Sequence, residues 1–185
     1  MFYDFQRDAN KVLQKVEVKD VNYSIAYSYI YYYNNAKQIE RIDKMSDIDF
    51  DGKADDLDYS FTINYDTLGR VSRMRIKKEF TLARDFHFIW KEGNIVRVEN
   101  TDGELNYTMN LAFDDKPNAL ERIKWEYITT TGTLEFYAAM FCKNNLVSAT
   151  LFPAAMDSAV LEIMPSYNED GLYISNGMEG VEYHY

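Results

Sequence analysis

The sequence contains little of the chemistry on which many active sites depend. It has one cysteine and two histidines among 185 residues, so an internal disulfide is excluded and zinc sites of paired Cys and His find no support. No stretch approaches the roughly 20 apolar residues of a membrane-spanning helix. The first residues lack the pattern of a secretory signal peptide. Stability must therefore come from a packed core, which a chain of this length can build.

Positive charge is also scarce. The formal net charge is −10 and the sequence pI is about 4.7. Half of this charge lies in residues 47–58, where six aspartates and one lysine give −5. So acidic a chain is a poor partner for nucleic acids or for anionic membrane surfaces. We expect neither to be its ligand.

Aromatic residues, by contrast, are abundant. The chain has 16 Tyr and 11 Phe, and such rings pack well on the pleated surface of a sheet. In "YSFTINY" at 59–65, Tyr59, Phe61 and Ile63 share one face while Ser60 and Thr62 share the other. Alternation of this kind is typical of a half-buried strand in an antiparallel sheet.

A degenerate repeat accompanies the alternation. An aromatic residue is followed by a short polar turn, then by a basic or polar residue and alternating aliphatics. Turn formers mark the copies because they tolerate positive φ or bond their own backbone: Asn35, Gly69, Gly93, Asn118, Asn145 and Gly171. The copies are "YNNAKQIERI" (33–42), "YDTLGRVSRM" (65–74), "WKEGNIVRV" (90–98), "FDDKPNALERI" (113–123), "CKNNLVSAT" (142–150) and "YNEDGLYIS" (167–175), with a weaker first copy, "QRDANKVLQKV", at 6–16.

This repeat predicts the architecture. From Gly69 onward the turns recur about every 25 residues, the length of two strands and two turns. We predict one all-β domain over residues 1–185, an antiparallel meander of successive β-hairpins with roughly a dozen strands. A sheet of that size twists and coils, so a curved open sheet or an incomplete barrel is expected.

The acidic segment at 47–58 interrupts the repeat and looks like an insertion between strands. Its spacing resembles the calcium loop of EF-hand proteins and the D-x-D-x-D-G-x-x-D loops of dockerins. Alternate aspartates on a tight turn at Gly52 would direct oxygens toward one Ca²⁺, with Lys53 contributing its carbonyl. The last position is Asp rather than Glu, and the flanks read as strands. The predicted ligands are Asp47, Asp49, Asp51, Lys53, Asp55 and Asp58; the alternative is a solvated acidic loop without an ion.

Other reactive residues give weaker signals. Both His87 and His184 read as ordinary strand residues, and Cys142 reads as a small buried hydrophobe. No catalytic motif is present, so we predict no catalytic residue. A cross-strand pair of carboxylates that hydrolyses polysaccharide remains as an alternative.

Tyrosines form the densest aromatic cluster. In "VNYSIAYSYIYYY" the alternate residues Tyr23, Tyr27, Tyr29, Tyr31 and Tyr33 share one face. A flat apolar ring with a polar tip suits the surfaces of sugars and peptides. The same five rings can instead form the core of the sheet, and both interpretations stay open at this point.

The units "YNNAKQIERI" and "YDTLGRVSRM" resemble tyrosine-aspartate (YD, Rhs-type) repeats, in which each unit forms a β-hairpin. With "FDDKPNALERI" and the closing "YNEDGLYISNGMEGVEYHY", the chain is also similar to uncharacterised secreted lipoprotein domains of gut-dwelling anaerobic Gram-negative bacteria. That resemblance implies export to the periplasm or outer membrane and a lipid anchor on a cysteine upstream of these residues. It implies no established activity.

These observations lead to one functional expectation and two alternatives. We expect a non-enzymatic module of the cell envelope that binds glycan or protein, with a calcium-stabilised loop and with no membrane contact except through the lipid anchor. The alternatives are the polysaccharide hydrolase and a purely structural domain.

Overall fold

A computed structural model describes residues 2–19, 25–47, 53–78, 81–101, 106–118, 141–154, 161–163, 166–167 and 173–175. These ranges contain thirteen strands. In chain order they are β1 (Phe2–Arg7), β2 (Leu13–Lys19), β3 (Ile25–Tyr33), β4 (Ile39–Ser46), β5 (Asp56–Tyr65), β6 (Val71–Lys78), β7 (Thr81–Lys91), β8 (Asn94–Asn100), β9 (Tyr107–Pro117), β10 (Asn144–Pro153), β11 (Leu161–Ile163), β12 (Ser166–Tyr167) and β13 (Tyr173–Ser175).

Strand order in the main sheet follows the chain from β1 to β11, while β12 pairs with β13 in a second, two-stranded sheet. Successive strands pair antiparallel, as the registers of β1 with β2 and of β9 with β10 illustrate. This confirms the predicted all-β antiparallel meander. Among the described residues no helix has the length and apolar character that crossing a membrane requires.

The chain divides into two compact units, residues 1–85 and 86–185. The single domain predicted over 1–185 stays a prediction. The first unit contains β1 to β6 and the start of β7, and it holds every site residue discussed below that the structure describes, apart from His87 and Cys142.

One face of the first unit is its core. Val16 lies opposite Tyr29, Tyr31 opposite Ile42, and Ile42 opposite Phe61. All five side chains are buried. We call this side the core face. Because side chains alternate along a strand, the residues between these five point to the other side, which we call the polar face.

Three hairpins of this unit share one five-residue turn. Its first residue is Asp8, Asn34 or Asp66, whose side-chain Oδ1 accepts hydrogen bonds from the backbone N–H groups two and four positions later, at 2.8–3.0 Å. The backbone N–H of the first residue bonds the carbonyl of the fifth, at 2.8–2.9 Å. The copy at residues 6–16, predicted as degenerate, is therefore a full member of the repeat.

The fourth residue of each turn has left-handed backbone geometry. Lys11, Lys37 and Gly69 have φ of 64°, 61° and 76°. Only Gly69 adopts this conformation without a steric penalty, because its Cβ is absent. The fixed hydrogen-bond pattern therefore holds two lysines in a conformation that their side chains disfavour.

Tyrosine hydroxyls connect neighbouring hairpins. Tyr33, the residue before the second turn, donates its hydroxyl to the carbonyl of Leu13 in the first hairpin at 2.5 Å. Tyr65, the residue before the third turn, donates to the carbonyl of Ile39 in the second hairpin at 2.7 Å. Leu13 and Ile39 occupy equivalent positions, each opening the strand after its own turn. The same bond thus repeats from hairpin to hairpin.

The second unit uses a different turn. Glu92 and Gly93 both have positive φ, 52° and 86°, which is the geometry of the tight two-residue turns that match the twist of hairpins. Lys143 donates its backbone N–H to the carbonyl of Gly93 at 3.2 Å. The Asn94 side-chain amide donates to Asn144 Oδ1 at 3.1 Å, and Asn94 Oδ1 accepts from the backbone N–H of Asn144 at 3.2 Å.

Two predicted turn residues lie elsewhere. Asn145 is inside β10 and fully buried, so the prediction of a turn there was wrong. The register of β10 is irregular between Asn144 and Leu146. An irregular strand segment can contain the polar residues that are typical of a turn, which is why the sequence predicted a turn here. Asn118 follows β9, is buried, and donates its side-chain amide to the carbonyl of Cys142 at 2.8 Å. Gly171 lies outside the described residues.

The tyrosine bonds between hairpins make a testable contribution to stability. Tyr65→Phe keeps the ring and removes only the hydroxyl, leaving the Ile39 carbonyl without that donor. We expect the free energy of unfolding to fall by about 1 kcal/mol, measured by chemical denaturation. Tyr59→Phe is the matched control, because no hydrogen bond of the Tyr59 hydroxyl is present among the described residues. Equal losses in both variants would contradict this role.

Candidate functional site

The acidic segment, residues 47–58, runs in the chain from the end of β4 into β5. Ser46, the last residue of β4, is the register partner of Asp56, the first residue of β5, so the residues between them connect paired strands of two successive hairpins, as predicted for an insertion between strands. Asp47, Lys53 and Asp55 lie in the described parts of this loop. Asp49 and Asp51 lie outside the described residues.

Asp58, the last predicted ligand, belongs to β5 and is already bound by protein groups. Its Oδ2 accepts from Lys44 Nζ at 2.8 Å and from Ser46 Oγ at 3.2 Å. An incoming cation would therefore share this carboxylate with a lysine. Within the ranges the structure describes, no three His, Cys, Asp or Glu side chains form a group suited to a metal. Calcium binding by the loop stays a prediction.

Aromatic rings brace the base of the loop. Lys44 Nζ lies 5.1 Å from the ring centroid of Tyr27 and 5.4 Å from that of Tyr59. Lys78 Nζ lies 5.8 Å from the Tyr59 ring. Cation–π contacts of this kind hold lysine chains in place on a sheet. Lys44 is thus fixed between two rings and Asp58, which anchors the strand ends that carry the loop.

The structure places the central tyrosines of the predicted cluster in the core. Tyr29 and Tyr31 are 4% and 3% exposed, and burial raises the pKa of the Tyr31 hydroxyl above its ordinary range. The Tyr33 hydroxyl donates its hydrogen bond to the Leu13 carbonyl. The rings of Tyr29 and Tyr31 therefore belong to the core and do not form a binding surface. Tyr23 lies outside the described residues.

The remaining candidate residues are Cys142 and the two histidines. Cys142 is fully buried, as predicted, and its Sγ accepts from the backbone N–H of Ile95 at 3.1 Å. His87 is half-buried on β7, between the buried Phe86 and Phe88 and opposite Glu99. His184 lies outside the described residues.

The polar face of the first unit carries an arrangement that the sequence analysis missed. Tyr32, Arg41, Thr62 and Arg75 are register partners in succession across β3, β4, β5 and β6. Arg41 lies over the Tyr32 ring, with its guanidinium carbon 3.9 Å from the centroid. These four side chains form one row across the sheet. The available signal was "RMRIKK", in which basic residues occupy alternate positions of β6.

A second row lies beside the first. Asp43, Ser60 and Lys77 are register partners across β4, β5 and β6. Asp43 accepts from Ser60 Oγ at 2.7 Å and pairs with Arg41 Nε at 3.2 Å. The ion pair between Arg41 and Asp43 therefore joins the two rows, and we call the seven side chains together the polar platform.

Carboxylates on the polar face are held by cations. Glu17 lies 2.8 Å from Lys15 Nζ and 3.5 Å from Lys19 Nζ, and Lys19 also pairs with Asp4 at 3.2 Å. Arg73 grips Asp85 with two nitrogens, one of them Nε at 2.7 Å. The hydrogen bond from Lys15 is the largest cause that holds the pKa of Glu17 below its ordinary value, with burial opposing it.

Comparison with known proteins identifies structural likeness only. No protein-family model matches the chain, and no curated protein matches it. A porin-like protein from Bacteroides uniformis ATCC 8492 superimposes with a TM-score of 0.51 at 7% identity, over 92% of this chain and 78% of that one. At such low identity the likeness concerns the β-rich fold alone.

A chain of the TcdB2-TccC3-TEV crystal structure is also similar, with a TM-score of 0.47 and 10% identity. The match covers 93% of this chain but only 8% of that much longer one. The present chain therefore spans a small fraction of that neighbour.

Glu17 gives the polar face a predictable pH dependence. A carboxylate whose pKa is lower in the folded protein contributes stability above its unfolded pKa, and this is lost as pH falls through the folded pKa. We expect Glu17→Gln to be less stable than the parent at pH 7. The difference should shrink as pH falls below the ordinary value of 4.5.

Denaturant midpoints of both proteins between pH 7 and pH 3 measure this. Glu40→Gln, at an exposed carboxylate with no ion pair among the described residues, serves as the control and should match the parent at pH 7. A stability difference for Glu17→Gln that stays constant across the whole range would contradict the assignment.

Proposed function

We propose that this chain is a non-enzymatic binding module of the bacterial cell envelope, whose ligand is a glycan held on the polar platform. The observation that carries the proposal is the Tyr32–Arg41–Thr62–Arg75 row, in which an aromatic ring, a hydroxyl and two guanidinium groups lie side by side on the face of the sheet opposite the core. Sugars are bound by such combinations of aromatic ring, hydroxyl and charged side chain. Export as a lipoprotein is part of the proposal and rests on the resemblance of the sequence.

The charge state of the carboxylates favours binding over hydrolysis. Asp4 and Glu17 are cross-strand register partners, the arrangement that a glycosidase would need. Lys19 pairs with both carboxylates, and the pKa of Glu17 is lowered. A general acid requires the opposite shift, toward a raised pKa. This pair therefore supports a structural role for both carboxylates.

A glycan array tests the proposal directly. We expect retention of at least one polysaccharide class, with no release of reducing ends on prolonged incubation. Arg41→Ala removes the guanidinium from the Tyr32 ring and should weaken binding several-fold, whereas Glu40→Gln, at the neighbouring exposed residue, should not. Absence of binding to any glycan, or cleavage of a bound one, would overturn the proposal.

A calcium ion in the loop between β4 and β5 is the second part of the proposal. Carboxylate oxygens are the ligands that a hard cation prefers, and the bond from Lys44 to Asp58 fixes the last predicted ligand at the base of the loop. Asp47, Asp49, Asp51, Asp55 and Asp58 would supply side-chain oxygens and Lys53 its carbonyl. The ion would order the loop without taking part in any reaction.

Thermal melting tests this site. With a dissociation constant of about 10⁻⁴ to 10⁻³ M, typical of extracellular modules, 10 mM Ca²⁺ should stabilise the protein by about 1.4–2.7 kcal/mol. The melting temperature should rise by several degrees. Asp49→Asn should abolish the rise, and Asp115→Asn, an exposed aspartate on β9, should leave it intact. No rise in the parent would contradict calcium binding.

A further inference from the structure

The polar face of the first unit carries a concentration of positive charge in a strongly acidic chain. Arg73, Arg75 and Lys77 occupy alternate positions of β6, and Arg41 lies in the same row as Arg75. We call these four residues the basic patch. Alternate residues of a strand lie on the same side, about 7 Å apart, so the three cations of β6 repel one another.

Two members of the patch are neutralised by the protein and two are not. Arg41 pairs with Asp43, and Arg73 pairs with Asp85. For Arg75 and Lys77, the part of the chain that the structure describes supplies neither an ion pair nor a hydrogen-bond acceptor. The patch therefore presents two adjacent positive charges that no carboxylate of the described residues balances.

Arg75 adds an independent observation. Its Nε is enclosed by protein, and no acceptor for this N–H exists among the described residues. An enclosed donor without a partner is rare in proteins, because it has given up its bond to water without replacement. An anion from solution cannot reach the enclosed Nε, but it can accept hydrogen bonds from the two terminal nitrogens of the guanidinium, whose planar geometry suits a carboxylate.

We infer that the basic patch binds the carboxylates of an acidic polysaccharide, with Arg75 and Lys77 as the anion-binding residues. This inference rests on the proposed glycan-binding function and names the ligand class. Each uronate carboxylate accepts hydrogen bonds from the Arg75 fork or from Lys77 Nζ, while the sugar ring lies over Thr62 between the two arginines of the row. Arg41 stays over the Tyr32 ring, and the next sugar of the polymer lies beside this pair.

A glycan fits this charge distribution better than a nucleic acid does. The chain carries −10 overall, and a densely charged phosphate backbone that extends beyond the patch would be repelled by the rest of the surface. A polyuronate carries one carboxylate per sugar, a lower charge density than the one phosphate per about 1.7 Å of duplex DNA. Strands about 4.8 Å apart place the side chains of one row at intervals suited to successive sugars of a linear polymer.

Calorimetric titration of the full chain with polygalacturonate tests the inference, with the carboxyl-reduced form of the same polymer as the neutral probe. We expect binding of the acidic polymer, none of the reduced one, and an affinity that falls as salt is raised. Arg75→Gln and Lys77→Gln should each weaken binding about tenfold or more, as expected for loss of a charge-assisted bond. Lys116→Gln, the same change at an exposed lysine on β9, should not.

The outcomes separate the two proposals. Equal binding of both polymers would overturn the carboxylate assignment and leave glycan binding standing. Absence of both interactions, while the array retains another glycan, would do the same. Unchanged affinity in Arg75→Gln, with a melting temperature equal to that of the parent, would overturn the site. Equally tight, Arg75-dependent binding of polyglutamate would overturn the assignment to a glycan.

Discussion

The fold of the first unit depends on one local constraint, the five-residue turn closed by its first side chain. Oδ1 of Asp8, Asn34 or Asp66 accepts two backbone N–H groups, which forces the fourth residue into left-handed geometry. Each turn therefore reverses the chain with the same register irregularity just before it, at Arg7, Tyr33 and Tyr65. Because the turns are equivalent, the hairpins lie side by side in the sheet and repeat the same tyrosine contact with the preceding hairpin.

The sheet formed by these hairpins has two different faces, the core face and the polar face. The Tyr33 and Tyr65 hydroxyls reach back to the preceding hairpin, and the rings that carry them are half-buried at the edge of the core. The opposite face meets water, and its charged side chains form ion pairs both within and between strands. Function is proposed on that second face because its side chains are presented by rigid strands rather than by loops.

Local features were predictable from the sequence and lateral ones were not. Gly69 revealed the third turn because glycine adopts positive φ without a steric penalty, and alternation in 59–65 identified β5. Asn145 was misread because a strand irregularity has the composition of a turn. The platform was missed because Tyr32, Arg41, Thr62 and Arg75 lie on four different strands. They become neighbours only through the registers of those strands, which the residue pattern of the sequence does not specify. The calcium ligands were predicted only from the spacing of aspartates in residues 47–58, so that prediction does not depend on the arrangement of the strands.

Exchange of turns tests the central claim most directly. Residues 34–38 can be replaced by the segment "DTLGR" of residues 66–70, which changes all five side chains, including Lys37→Gly at φ of 61°. If the shared hydrogen-bond pattern determines the hairpin, the denaturation midpoint should equal or exceed that of the parent, since glycine relieves the left-handed lysine. A hybrid that loses its folded state or falls well below the parent midpoint would contradict the account.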